Sequence, residues 1–229
     1  MTVKALIFDF DGLILDTETP EVEVWGAIYS EHGFELPFDL WAQTIGGYGV
    51  SNFNPSEYLV QLSGNTLDVE SARKVYQEES AKQILSKPVR DGVVDYLTDA
   101  RRLNLRLAVA SSSTHAWVDT HLARLRLIPF FDKIICSEDV PPGRTKPNPD
   151  LFLKALDQLH VRAHEAIIFE DSPNGVKAAQ RAGIFVVAVP NPLTLRLPIE
   201  GENLRLKSMA DLPLPGLLSR FNLTDSKAS

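Results

Sequence analysis

Two aspartates, one residue apart and directly behind a short apolar run, constrain this chain more than any other feature. Lys4-Ala5-Leu6-Ile7-Phe8 reads as a buried strand, and Asp9-Phe10-Asp11-Gly12-Leu13 follows it. Side chains alternate along an extended chain, so Asp9 and Asp11 leave on one side and Phe8 and Phe10 on the other. Gly12 permits the sharp turn that comes next. Two carboxylates then stand together at the C-terminal end of a strand, where open α/β sheets bind ligands. Like charges this close repel unless a cation or a proton intervenes. The pair therefore asks for a metal ion, a raised pKa on one acid, or both.

Behind this pair the pattern changes. Residues 17–89 read as helical, with Val22, Trp25, Ala27-Ile28 and Tyr29 at helical spacing before Gly33. Further helices are expected over residues 38–45, 56–62 and 69–85, with a loop at 46–54 and Pro88 closing the segment. From Asp91 onward helices (91–103, 117–125, 150–159, 176–182) alternate with strands (105–110, 133–136, 166–169, 185–189). Such alternation implies a parallel sheet with right-handed crossovers. The first strand must rejoin that sheet. The predicted fold is therefore an α/β core of residues 1–16 and 90–229, a Rossmann-like parallel sheet, carrying an inserted α-helical domain at 17–89. The 229 residues are enough for both. The last thirty residues are expected to add a final strand and a helix near 212–221.

Polar residues gather at four strand or loop ends: Asp9 and Asp11, Ser111, Lys146 in a Pro-stiffened loop, and Glu170-Asp171. Singly, each has an ordinary reading. Ser111-Ser112-Ser113, Asp171 and Ser172 suit helix caps, with Pro173 at the first helical position, and Lys146 suits a solvated surface. Their joint occurrence, each behind a strand, does not fit capping. In a parallel sheet all face one edge and supply carboxylates for a hard divalent cation such as Mg2+. They also supply one ammonium, with hydroxyl and backbone donors suited to a phosphoryl group. Phosphoryl transfer needs chiefly positioning and charge neutralisation, and an aspartate can accept the phosphoryl group covalently.

At these residues the chain resembles the haloacid dehalogenase-like superfamily, specifically its β-phosphoglucomutase-like phosphatases. The resemblance is carried by Asp9 to Glu18, Ala110-Ser111-Ser112-Ser113, Lys146-Pro147-Asn148-Pro149-Asp150 and Phe169-Glu170-Asp171-Ser172-Pro173-Asn174-Gly175, and it spans Lys4 to about Pro192. It implies that residues 17–89 form a cap over the core. It implies Asp9 as nucleophile and Asp11 as general acid–base. Mg2+ would be held by Asp9, the backbone carbonyl of Asp11, Glu170 and Asp171. Ser111, Lys146 and the backbone of Ser112 would grip the phosphoryl group. The mutases of the family carry a His twelve residues past the nucleophile, where this chain has Glu21, and no Lys or Arg occurs between Lys4 and Arg73. These departures favour a phosphatase acting on a small phosphomonoester (sugar, polyol or nucleoside phosphate), with Glu18, Glu21 and Trp25 meeting the rest of the substrate. A sugar phosphomutase and a phosphoacceptor signalling domain are the alternatives.

Other features bound the reading. The formal charge of −7 opposes a nucleic-acid surface. No stretch approaches the ~20 apolar residues of a membrane span, and no signal-peptide pattern is seen. The lone Cys136 ends an apolar run and reads as a packed core thiol. A cytoplasmic monomer whose partner is a small phosphorylated metabolite is the expectation. The five histidines lack metal-ligand spacing, and Trp41 and Trp117 read as core anchors.

Overall fold

Every strand pairing in the computed structural model, which describes residues 2–45 and 51–225, is parallel. The strands are β1 (Ala5–Phe8), β2 (Arg106–Ala110), β3 (Lys133–Ile135), β4 (Ala166–Glu170), β5 (Phe185–Ala188) and β6 (Leu204–Arg205), in the order β3-β2-β1-β4-β5-β6. The order reverses between β1 and β4, and that crevice is where such a sheet binds ligands. Phe8 lies in register with both Val109 and Phe169, so β1, β2 and β4 end at one level.

The period of two along each strand distributes the core. Leu6, Phe8, Leu107, Val109, Ile167 and Phe169 face α5 (Val93–Arg102), α6 (His115–Arg124) and α9 (Leu214–Asp225). Ala5, Ile7, Ala108, Ala110 and Ile168 face α7 (Asp150–Leu159) and α8 (Pro173–Arg181). With both faces covered, the strands are apolar throughout rather than alternating. The final strand and helix expected of the last thirty residues are β6 and α9.

Between β1 and α5 lie α1 (Glu18–Glu31), α2 (Phe38–Trp41), α3 (Pro55–Leu62) and α4 (Val69–Ser86). They enclose a separate apolar cluster of Val24, Trp25, Ile28, Tyr29, Trp41, Ile45 and Leu59, which Leu193 joins from the segment after β5. The two passages into this insertion run side by side. Leu15 bridges Val89, and Arg90 N–H donates to the Ile14 carbonyl at 3.0 Å.

Several boundaries move for local reasons. α5 begins at Val93 rather than Asp91 because Gly92 holds φ +84°, and a Cβ there would meet the Ala210 backbone. α6 begins at His115, two residues early, with the Thr114 hydroxyl accepting from Trp117 N–H. α8 begins at Pro173, capped by Ser172, whose Oγ accepts from Gly175 N–H at 3.1 Å. Residues 46–50 of the expected loop, Tyr48 included, lie outside the described residues. Its remaining members pack or cap: Phe53 meets Tyr58 edge-on, and Asn54 caps α3.

Candidate active site

The four polar strand ends meet. Asp9 leaves β1 beside Glu170, since Asp9 N–H donates to the Phe169 carbonyl at 3.0 Å. Carboxylate oxygens of Asp9, Glu170 and Asp171 lie within 4.8 Å of one another, all buried. Lys146 reaches them from the loop after β3. Its Nζ donates to Asp9 Oδ1 and, at 2.6 Å, to Glu170 Oε1. The lysine expected on a solvated surface if taken alone is 1% exposed. Glu170 Oε2 accepts from the backbone N–H of Asp171 and Ser172 and from the Ser172 hydroxyl. Glycines make room for this packing. A Cβ on Gly175 would overlap the Glu170 carboxylate. One on Gly12, itself at φ +79°, would stand 2.2 Å from Asp171 Oδ2.

Burial beside one another shifts Asp9, Asp171 and Lys146. Burial, and after it the Glu170 carboxylate, pushes Asp9 up to about 8 against the pull of Lys146. Burial, then Glu18 and Glu170, pushes Asp171 well up too. For Lys146, burial pulls the proton affinity down, but Asp9 and Glu170 outweigh it and the ammonium is held more firmly than usual. Asp171 Oδ1 is buried with no hydrogen-bond partner among the described residues. Oxygen-only donors, surplus negative charge and one orphaned carboxylate oxygen fit a hard divalent cation. Asp11 keeps its carboxylate outside this group.

Asp11 instead faces the serines. Its Oδ2 accepts from Ser113 Oγ at 2.6 Å and Ser111 Oγ at 3.2 Å. Its Oδ1 accepts from Trp117 Nε1 at 2.8 Å and Thr17 Oγ1 at 2.9 Å. Ser112 Oγ is buried without a partner among the described residues. Asp9, Asp11, Ser111, Ser112, Ser113 and Trp117 line one side of a cleft of about 310 Å³, and Thr17, Glu18, Glu21 and Thr44 line the other. Burial pushes Glu18 up, and Glu21, hydrogen-bonded to Tyr76, is pushed up by burial and then Asp11 to about 7.

Two expectations about tryptophan are corrected. Trp25, expected at the substrate, is 3% exposed and stacks on Tyr76 at 4.7 Å inside the insertion's own core. The apolar stripe of α1 that made it conspicuous also turns it inward. Trp117, expected as a core anchor, lines the cleft and binds Asp11. Sequence reasoning also passed over Thr17, Asn191 and Arg90. Asn191 Nδ2 bridges Asp171 Oδ2 (2.9 Å) and Glu18 Oε2 (3.2 Å). Arg90 donates to the carbonyls of Gly12, Val189 and Pro190, tying the insertion's return passage to two strand ends. The rule that found the other strand ends, applied to Pro190-Asn191-Pro192 behind β5, would have flagged Asn191.

Residues 6–189 match the family model described as haloacid dehalogenase-like hydrolase. The chain is 44% identical over 220 residues to the Bacillus subtilis (strain 168) protein named "Putative phosphatase YhcW", covering 96% of this chain and 98% of that one. It is 30% identical over 186 residues to the fructose-1-phosphate phosphatase YqaB of Escherichia coli (strain K12), covering 80% and 95%. Among solved structures, CbbY from Rhodobacter sphaeroides in complex with phosphate aligns with a TM-score of 0.68 at 25% identity, covering 94% of this chain and 99% of that one. β-Phosphoglucomutase from Clostridium difficile shares the fold, with a TM-score of 0.68 at 22% identity, covering 98% and 100%.

Proposed function

The chain belongs to the haloacid dehalogenase-like hydrolases and is a phosphatase of that family, and from this premise we propose that it hydrolyses a small phosphomonoester through a phosphorylated Asp9, with Mg2+ as cofactor. The observation that carries the reading is the meeting of Asp9, Lys146, Glu170 and Asp171 at one end of the sheet, beside a cleft lined by Asp11 and Ser111.

Asp9 is the nucleophile. The buried Lys146 ammonium turns its carboxylate and offsets charge on the transferring phosphoryl group. Ser111 Oγ, now spent on a long 3.2 Å bond to Asp11, can be redirected to a phosphoryl oxygen, with the free hydroxyl and backbone of Ser112 beside it. Asp11 gives a proton to the leaving oxygen, then takes one from the water that releases phosphate. Positioned proton transfer of this kind contributes ~10²–10⁴-fold. Asp9, Glu170, Asp171 and the Asp11 carbonyl would hold Mg2+. Bound there, Mg2+ supplies further neutralisation of phosphoryl charge.

Residues 17–89 act as a cap, the passages at Leu15 and Val89 forming its hinge. The wall it presents is acidic and hydroxyl-bearing: Thr17, Glu18, Glu21 and Thr44. No lysine or arginine is among the described lining residues, and Arg73 is engaged by Glu57, Glu70 and Ser56. Such a wall suits a leaving group rich in hydroxyls and offers no cation to a second phosphate, which disfavours a bisphosphate-handling mutase. Relatives named for fructose 1-phosphate, phosphorylated carbohydrates and pseudouridine 5′-phosphate agree with a sugar, polyol or nucleoside monophosphate.

The test is turnover of p-nitrophenyl phosphate with Mg2+ and with EDTA, alongside Asp9→Asn. Metal-dependent turnover that Asp9→Asn abolishes is expected, and an active Asp9→Asn enzyme would refute the covalent route. Mass spectrometry of Asp11→Asn after exposure to substrate is expected to trap the phosphorylated chain.

A further inference from the structure

We propose that Trp117 is a positioning residue for Asp11, holding the proton-transfer carboxyl in place through its indole N–H. This rests on the assignment of Asp11 as acid–base made above. Four donors converge on Asp11, and they are not equivalent. Ser111 must turn away to meet a phosphoryl group. Thr17 stands at the entrance to the insertion and shifts with any movement of it. Serine and threonine hydroxyls also rotate freely between donating and accepting. An indole N–H can only donate, and this one meets Asp11 Oδ1 at 2.8 Å across 106 positions of sequence.

Trp117 is also well anchored to the sheet domain. It sits in the first turn of α6, whose Val118 and Leu122 are fully buried against the sheet. Its ring meets the buried His121 edge-on, with centroids 4.4 Å apart, and His121 packs in turn against Phe10, the residue between the two aspartates. Indole, imidazole and phenyl thus form a continuous support from α6 to the segment Asp9-Phe10-Asp11. A donor fixed within a fraction of an ångström is what a proton-transfer group needs.

The consequence for the reaction is specific. With Trp117 and Thr17 donating to Oδ1, the transferable proton belongs on Oδ2. In the first step an Asp9 oxygen attacks phosphorus, the ester P–O bond breaks, and the Oδ2 proton passes to the leaving oxygen. In the second step water attacks phosphorus, its proton passes to Oδ2, and the P–O bond to Asp9 breaks. Losing the indole N–H frees the carboxyl to rotate and weakens proton delivery without touching the phosphoryl grip.

The experiment compares kcat/KM for phenyl phosphate, whose leaving oxygen needs a proton, with that for p-nitrophenyl phosphate, whose leaving group is stable as an anion. Trp117→Phe keeps an aromatic ring on His121 and removes the N–H. It is expected to lower kcat/KM for phenyl phosphate by ~10-fold while changing that for p-nitrophenyl phosphate by less than ~2-fold. Asp11→Asn, which stalls as the phosphorylated chain, is expected to show the same selectivity more strongly in the first-turnover rates of phenol and p-nitrophenol release. Equal losses on both substrates, or none, in Trp117→Phe beside a selective Asp11→Asn would overturn the inference and leave the acid assignment standing. An unselective Asp11→Asn would remove the acid assignment, and the role of Trp117 with it. If Trp117→Phe fails to fold, incorporation of 3-benzothienylalanine at position 117, which replaces only the N–H by sulfur, gives the same readout, and the same two outcomes decide it.

Discussion

In the sheet domain the interior holds charge, whereas in the helical insertion it holds aromatic rings. Asp9, Lys146, Glu170 and Asp171 are each at most 5% exposed, and they remain there because partners reach them from β1, β4, the loop after β3 and the segment after β5. The insertion buries Trp25, Tyr29 and Trp41, with Trp25 stacked on Tyr76, and leaves its charges on α4 largely solvated. A buried charge cluster tolerates little displacement, since a lost partner leaves an uncompensated charge in a medium that solvates it poorly. An aromatic core is less exacting and leaves the facing wall free to vary. On the function proposed above, the reaction belongs to the region whose geometry is over-determined, and selectivity to the region whose surface is not. Polar bonds join the two at several points: Thr17 reaches Asp11, Asn191 reaches Glu18, Asn174 reaches the Ile45 carbonyl at 2.9 Å, and Arg124 donates to the carbonyls of Ile84, Leu85 and Lys87. Arg196 also stacks on Phe38 at 3.5 Å.

The sharpest way to break this contrast is at Asp9, the proposed nucleophile. Asp9→Asn is expected to lose activity by ~10⁴-fold or more in steady-state assays, while no single substitution of a cap-side residue approaches that loss. Next comes Lys146→Met, which strands Asp9 and Glu170 around an apolar side chain. Denaturant melts are expected to show a loss of about 3–5 kcal/mol, and activity should vanish even where the protein remains folded.

Glu21 tests the other side of the cleft. Its folded pKa is raised from 4.5 to about 7, so its ionisation favours the unfolded chain. The stability that its neutral form provides is present below pH 4.5 and lost as pH rises through about 7. Glu21→Gln should therefore raise stability by of order 2 kcal/mol above pH 7, with the gain shrinking towards zero near pH 4.5, as followed by thermal melts across pH. The same variant should shift KM among phosphorylated sugars more than it shifts kcat. The smallest effect is expected at the contact between the regions. Arg196→Ala removes the stack on Phe38, at a cost of about 0.5–1 kcal/mol. Proteolysis of the insertion should accelerate modestly, with turnover of small aryl phosphates preserved.

Element order and the polar strand ends were legible because both follow from short-range rules. Alternation of side chains set Leu6 and Phe8 on one face of the sheet and Ala5 and Ile7 on the other, as they are found. A carboxylate or serine behind an apolar strand of a parallel sheet has only one edge to occupy, so Asp9, Ser111, Glu170 and Asp171 could be brought together before any coordinates. Lys146 was legible only through its company, since nothing local distinguishes a buried lysine from a solvated one.

What the chain determined by itself is the set of groups that one edge of the sheet must carry, because strand periodicity and crossover handedness leave them no other place. What only the tertiary structure decided is which of the two tryptophans lines the cleft. Trp25 and Trp117 both lie on helices beside apolar neighbours. One finds Tyr76 and an apolar interior, while the other finds a carboxylate 106 positions away. Side-chain fate at that range depends on which distant surface the helix is packed against, and no local pattern encodes it.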